Sequence, residues 1–174
     1  MLMTQITFVD ENDNVIGAGT KQEVWEKGIW HRIVRIYLVN SEGELLITKR
    51  ADHLASCPGM WNESASGHVD VGETYDEAAA RELEEELHVH GVVLRPLEKI
   101  KHPDMEELDK IKNRFHTIYV GTFDGAVDFD KSEVADSRWI GADELAQWMR
   151  ERPDDFTEGF KFGLGVVLKH GELK

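Results

Sequence analysis

Between Thr74 and Leu87 the sequence repeats at a helical period, and no other segment constrains the fold as tightly. Ala79, Ala80, Leu83 and Leu87 form one apolar stripe, and acidic residues crowd the first turn, where the helix dipole favours them. Beside the stripe stand Glu82, Glu85 and Glu86. At 3.6 residues per turn they fall within an arc of about 100°, with Glu86 nearest the stripe and therefore least solvated. Glu82 opposes Glu86 at i,i+4 and Glu85 at i,i+3, and each like-charge pair costs roughly 0.2–0.5 kcal/mol in an isolated helix. A divalent cation removes that penalty. Hard carboxylate oxygens with no His or Cys among them favour magnesium, manganese or calcium over zinc. On the helix alone, a solvated acidic face is the plainer reading.

Around this helix the chain reads as a mixture of strands and helices. Ile6 to Val9 and Val15 to Gly17 flank an Asp/Asn cluster as a small N-terminal hairpin, about residues 6–20, followed by a polar segment with Trp25 and Trp30. Ile33 to Val39 and Leu45 to Thr48 are strands joined by a turn. Ala51 to Gly67 reads as a long irregular stretch, Val92 to Leu97 as a strand, Lys101 to Arg114 as a charged loop and Phe115 to Phe123 as a strand. A short strand ends at Trp139 and Ile140, and C-terminal helices cover about 142–169, broken at Pro153. That order predicts one α/β domain over residues 1–174 with a mixed, partly antiparallel sheet.

Composition narrows the partners. The 174 residues carry 34 acidic against 20 Lys and Arg side chains, a formal charge of -14. Nucleic-acid polymers and anionic membranes are repelled by such a surface. An anionic small molecule is admitted only where a metal ion or a local cluster of cations reverses the field. Cys57 is the single cysteine, which excludes an intramolecular disulfide and multi-cysteine zinc chemistry. The N-terminus has no signal-peptide pattern and no stretch approaches the ~20 apolar residues of a membrane span, so a cytoplasmic protein is expected.

The spacing before the helix is decisive. Gly67 is followed by Glu73, and then by Arg81, Glu82, Leu83, Glu85, Glu86 and Val89. Together they resemble the Nudix box, a Gly followed by Glu and then by Arg-Glu-apolar-any-Glu-Glu-any-Gly-apolar, with His88 as the one departure. His88 stands where a glycine would cap the helix in the left-handed region, and Gly91 is expected to take that role about a turn later. The resemblance implies an α/β/α sandwich that binds magnesium, with manganese as a substitute, against a small diphosphate-containing substrate. Carried over residue by residue, it makes Glu82, Glu85, Glu86 and the Ser66 carbonyl the metal ligands. Arg81 would hold the glutamates, with Glu73 as its ion-pair partner. The general base would be Glu82 or a glutamate outside the box, Glu133, Glu106 or Glu107.

Beyond the box, Trp30-His31-Arg32, Leu46 to Arg50 and Pro58-Gly59-Met60-Trp61 look like the branch that contains isopentenyl diphosphate isomerases. In that branch a catalytic cysteine precedes the Gly-His pair, and this chain has Ser66 there. The isomerases also lose the first two glutamates of the run, which are kept here. Both differences favour hydrolysis of a phosphoanhydride in a nucleoside diphosphate derivative over isomerisation or non-catalytic binding. His31 and His68 match metal-binding histidines of the isomerases, though a structural role is the commoner one for a single histidine. Lys49 and Arg50 are candidates to grip a phosphate and Trp61 to stack on a base, while Phe115 suits a core role better. A homodimer is compatible with the sequence.

Overall fold

The computed structural model describes residues 5–107 and 110–173, excluding the side chains of 103–111. The N-terminal hairpin pairs β1 (Ile6–Val9) with β2 (Val15–Gly19). Helix α1 (Lys21–Lys27) leads into β3 (His31–Val39) and β4 (Leu45–Arg50), and then β5 (Trp61–Asn62) and β6 (Ala65–His68) precede α2 (Tyr75–Leu87). Two long strands, β7 (Arg95–Glu107) and β8 (Lys110–Thr122), are followed by β9 (Val134–Ile140), α3 (Ala142–Glu151), a short 3-10 turn and α4 (Glu158–Lys169). Among the described residues no helix is long and apolar enough to cross a membrane.

The sheet is mixed. β3 and β8 run parallel from His31↔Arg114 to Val39↔Thr122, and the remaining named strand pairings are antiparallel. β3 and β4 share only the Val39↔Leu45 pair. From there β3 continues its ladder with β6 and β8, while β4 pairs with β5 and β9. The two ladders therefore diverge, and the candidate site occupies the opening between them.

Alternation along β3 sorts the core into two layers. Val34, Ile36 and Leu38 pack with Ala78, Ala79, Leu83 and Leu87 of α2. Tyr37 and Val39 join Phe156, Phe160 and Leu164 on the opposite face. The result is the expected α/β/α sandwich. Thr74 caps α2 in a reciprocal box with Glu77, fixing the level at which the helix starts.

Several local expectations are corrected. The buried stripe of α2 contains Ala78, while Ala80 is exposed. The helix ends at Leu87 because His88 itself adopts the left-handed cap, φ 52°, and donates its N–H to Glu84 O, so Gly91 is not the cap. The polar segment after the hairpin is α1, closed by a Thr20–Glu23 capping box. Residues 101–107 and 110–114 of the charged segment are strand rather than loop, in a ladder paired from Arg95↔Val120 to Glu107↔Lys110. Charged side chains suit β7, which pairs on one side only and benefits from protection against stray strand pairing.

Candidate active site

Arg81 organises the glutamates. Its Nε and Nη2 bind the two carboxylate oxygens of Glu73 at 2.7 and 2.9 Å, and Nη2 also reaches the His68 carbonyl at 2.9 Å. Nη1 donates to Glu82 at 2.8 Å and to Glu85 at 3.1 Å. Glu73 in turn accepts from the Asp70 N–H at 2.9 Å, tying the loop to the helix. Such a bidentate guanidinium contact fixes orientation as well as charge.

The three glutamates differ in setting. The Glu82 side chain is 12% exposed and that of Glu85 is 60% exposed. Burial pushes the Glu82 carboxyl up to about 7, against the pull of Arg81 and with help from Glu85. Glu86, half-buried by exposure, is held well above the usual carboxylate range by burial and by the nearby Glu82, Glu133 and Glu63. The expectation that Glu86 is the most desolvated of the three agrees with this ordering. An added Cβ at Gly67 would lie 1.9 Å from Glu82 Oε1, so the glycine lets the carboxylate rest against the loop backbone.

Among the described residues, no group of three acidic, His or Cys side chains is already gathered around a common cation position. Glu82 and Glu85 instead turn toward Arg81. The donor set nevertheless fits a hard divalent cation: desolvated carboxyls that repel one another, all oxygen, with one pressed against a glycine backbone.

A cleft of about 1110 Å³ collects these groups. Ser66, Gly67, His68, Arg81, Glu82, Glu85 and Glu86 line it together with Arg50 and Glu133. The Ser66 hydroxyl interacts with Asn62 Nδ2 at 3.3 Å. Arg50 donates from Nε to the Ser56 carbonyl at 3.0 Å. Lys49 does not line the cleft, because neighbouring strand residues point to opposite faces and Arg50 takes the inward one. Trp61 is likewise absent from the lining; it is 9% exposed in the core, edge-on to Trp148 at 5.4 Å. Its geometry corrects the stacking role. Phe115 is buried against Trp30, at 5.2 Å between ring centres. Glu106 and Glu107 lie outside the described side chains.

The structure adds residues that the sequence reading overlooked. Glu63 is fully buried, joined to Arg35 Nη1, with its second oxygen lacking a hydrogen-bond partner among the described residues. Asp70 and Asp130 line the cleft, as do Lys21, Trp25, Lys112, Arg114 and His102. The Thr20-x-x-Glu23 pattern was the available signal for α1, which delivers Lys21 and Trp25. Cys57 also faces this cleft rather than idling in a surface loop. His31 and His68 stack at 5.4 Å, and burial holds both rings neutral, lowering His31 to about 3. His31 Nδ1 contacts the Ile29 carbonyl at 3.0 Å, while the Nε2 atoms of His31 and His68 are buried without a hydrogen-bond partner among the described residues.

The fold is thus a sandwich whose glutamate helix is clasped by an arginine and pressed onto a glycine loop. The chain belongs to the Nudix family, whose domain model matches residues 29–160. Among its relatives is an isopentenyl-diphosphate Delta-isomerase of Burkholderia multivorans, 35% identical over 156 residues, spanning 90% of this chain and 88% of the relative. An uncharacterized Nudix hydrolase of Pseudomonas aeruginosa is 33% identical over 149 residues, spanning 85% of each. A crystal structure of a Deinococcus radiodurans protein superposes with a TM-score of 0.69 at 27% identity, covering 84% of this chain and 89% of that one.

Proposed function

We propose that this protein is a divalent-metal-dependent hydrolase that cleaves a phosphoanhydride bond in a small nucleoside diphosphate derivative. The observation that carries the reading is the complete set Glu82, Glu85 and Glu86 facing a cleft beside Ser66, with Arg81 clasping Glu82 and Glu85. Glu82, Glu85, Glu86 and the Ser66 carbonyl would hold magnesium or manganese. A bound divalent cation neutralises phosphate charge and acidifies water. Arg81 keeps the carboxylates in place through its contacts to Glu73 and the His68 carbonyl. Arg50 offers a cation for a phosphate oxygen. Glu133, adjacent to Glu86 and on the cleft wall, is the best placed of the bases outside the box.

The names of several relatives favour a second reading, isomerisation of isopentenyl diphosphate. Moving a double bond needs one proton delivered to carbon and another removed, with the diphosphate left whole. Ser66 offers a hydroxyl where those enzymes are expected to use a thiol, and an unperturbed hydroxyl transfers protons less readily than a group titrating near ~8.5.

The deciding experiment incubates the purified protein with magnesium and a panel of nucleoside di- and triphosphates, dinucleotides, nucleotide sugars and coenzyme A compounds. Isopentenyl diphosphate in deuterated water is run alongside. Release of a phosphate-containing product from at least one nucleotide is expected, with no deuterium in recovered prenyl diphosphate, and Glu86→Gln should nearly abolish the release. Deuterium uptake with no hydrolysis across the panel would overturn the reading in favour of isomerisation.

A further inference from the structure

Two buried side chains in the cleft wall, Asn62 and Thr157, fix the direction of a hydrogen bond at Ser66. Helix α4 begins against β5: the Thr157 N–H donates to the Trp61 carbonyl at 3.0 Å, and Phe156 bridges to Trp61. This docking holds the Thr157 hydroxyl at Asn62, with Oγ1 2.6 Å from Asn62 Oδ1. On its other side, Asn62 Nδ2 lies 3.3 Å from Ser66 Oγ. Asn62 and Thr157 are 7% and 6% exposed, so their polar atoms depend on fixed partners.

The direction of each proton follows from the donors available. Thr157 Oγ1 already accepts the Phe160 N–H at 3.1 Å as the cap of α4. Its own proton therefore goes to Asn62 Oδ1. The 2.6 Å separation fits an O–H···O bond, usually about 2.5–3.0 Å, better than an N–H···O bond. With Oδ1 so assigned, Asn62 presents Nδ2 to Ser66, and the longer 3.3 Å contact suits an N–H donor. Turning the amide over would strand the buried Thr157 proton, a cost that native folds avoid. Ser66 Oγ is thus an acceptor on its inner side, and its own proton points elsewhere. Ser66 stands opposite Arg35 in the β3–β6 ladder, on the face of the sheet away from Val34 and Ile36, and both residues line the cleft. Among the described residues, the bond from Asn62 is the only one the Ser66 side chain makes.

We propose that the Ser66 hydroxyl donates a hydrogen bond to an oxygen of the bound diphosphate, with Asn62 and Thr157 as positioning residues that set its direction. The diphosphate is the one in the function proposed above, on which this role rests, and the donation holds whether the compound is hydrolysed or isomerised. The proton stays on Ser66, so the role does not need an acidic hydroxyl.

Calorimetric titration of the full-length protein in saturating magnesium measures binding of methylenediphosphonate, whose P–C–P link is not hydrolysed. Ser66→Ala should weaken binding about tenfold or more, as expected for a bond to a charged acceptor, and Ser66→Thr should keep most of the affinity. The rise in melting temperature with magnesium alone should be the same in Ser66→Ala as in wild type, because the carbonyl remains. Asn62→Asp supplies a carboxylate that accepts from Thr157 and Ser66 alike, drawing the Ser66 proton inward. Combined with Ser66→Ala, it should weaken binding by less than the product of the two separate factors. Thr157→Val should weaken binding in the wild-type background and not in Ser66→Ala, and Thr157→Ser in neither. Equal affinity of wild type and Ser66→Ala would overturn the donation and leave the hydrolase reading standing. Factors that simply multiply would overturn the roles of Asn62 and Thr157. A wild-type protein that does not bind the probe would overturn the donation whatever the nucleotide panel shows. Binding that depends on Ser66, with no hydrolysis across that panel, would overturn the hydrolase reading alone.

Discussion

Replacing Glu82 with glutamine should make the metal-free protein more stable while removing its activity. The Glu82 carboxyl is 12% exposed and its pKa is pushed up to about 7, by burial first and then by Glu85, against Arg81. A folded-state value above the ordinary 4.5 means that the native protein holds this proton more tightly than the unfolded chain does. Ionising Glu82 therefore costs native stability, progressively from pH 4.5 to about 7 and in full above that. At ~1.4 kcal/mol per pH unit the full cost is about 3 kcal/mol. Glutamine keeps the shape and loses the charge, but it also weakens the 2.8 Å contact from Arg81, which retains Glu73 and Glu85. A gain of about 1–3 kcal/mol at pH 8 should remain, fading toward zero near pH 4. Urea unfolding in chelator at the two pH values measures it, provided the slope with denaturant is unchanged. A variant less stable than wild type at pH 8, or a gain independent of pH, would refute the claim that Glu82 is a strained, desolvated carboxylate.

Three further outcomes follow from the same geometry. Millimolar magnesium or manganese should raise the melting temperature relative to chelator, by about 2.7 kcal/mol of stability at a hundredfold excess over Kd, and a Glu82/Glu85/Glu86 triple Gln variant should show no shift. An equal shift in that variant would place the metal elsewhere. Gly67→Ala puts a methyl 1.9 Å from Glu82 Oε1, so the flexible carboxylate should swing aside. The melting temperature would then stay within a few degrees while turnover falls by about 100-fold, a loss typical of small misplacements; normal turnover would show that Glu82 need not sit on Gly67. His88→Gly should stabilise the protein by about 1 kcal/mol, because the left-handed cap strains any residue with a Cβ, and the exposed His88–Asp128 contact gives little in return. Thermal unfolding checks it, and a lower melting temperature would mean that the His88 side chain contributes more than its exposure suggests.

What the sequence disclosed depended on whether the signal was local. The glutamate helix was readable because period, cap and spacing all lie within one segment, and the hairpin because its turn residues are adjacent. The long β7–β8 ribbon was hidden because a charge-rich strand carries no apolar run, and its pairing partner supplies the order. Helix α1 was missed for a different reason: its seven residues bury only Val24, so the capping box was the sole strong signal. The same distinction holds at the site. Arg81 and Glu73 were paired correctly through the resemblance to the Nudix box, whereas Lys112 and Arg114 come to the cleft, and Glu63 to Arg35, only through tertiary structure. Lys49 and Trp61 lie outside the cleft lining, a placement that sequence could not give because a strand's two faces cannot be assigned before its neighbours are known.

The charge arithmetic of the chain now has a structural form. Acidic side chains outnumber basic ones over the whole sequence, whereas the cleft lining balances seven Lys and Arg against seven Asp and Glu side chains. At physiological salt a surface charge is largely screened beyond ~8 Å, so an anion inside the cleft feels the lining far more than the distant surface. Within that lining the cations are divided. Arg81 is committed to orienting carboxylates and Arg35 to the buried Glu63, while Arg50 stands near the glutamates. Glu82 and Glu86 are desolvated enough to favour their protonated forms, a state that lowers the repulsion between them and that a divalent cation would replace. Stability is thus given up at Glu82 and Glu86 for a carboxylate cluster that suits a cation.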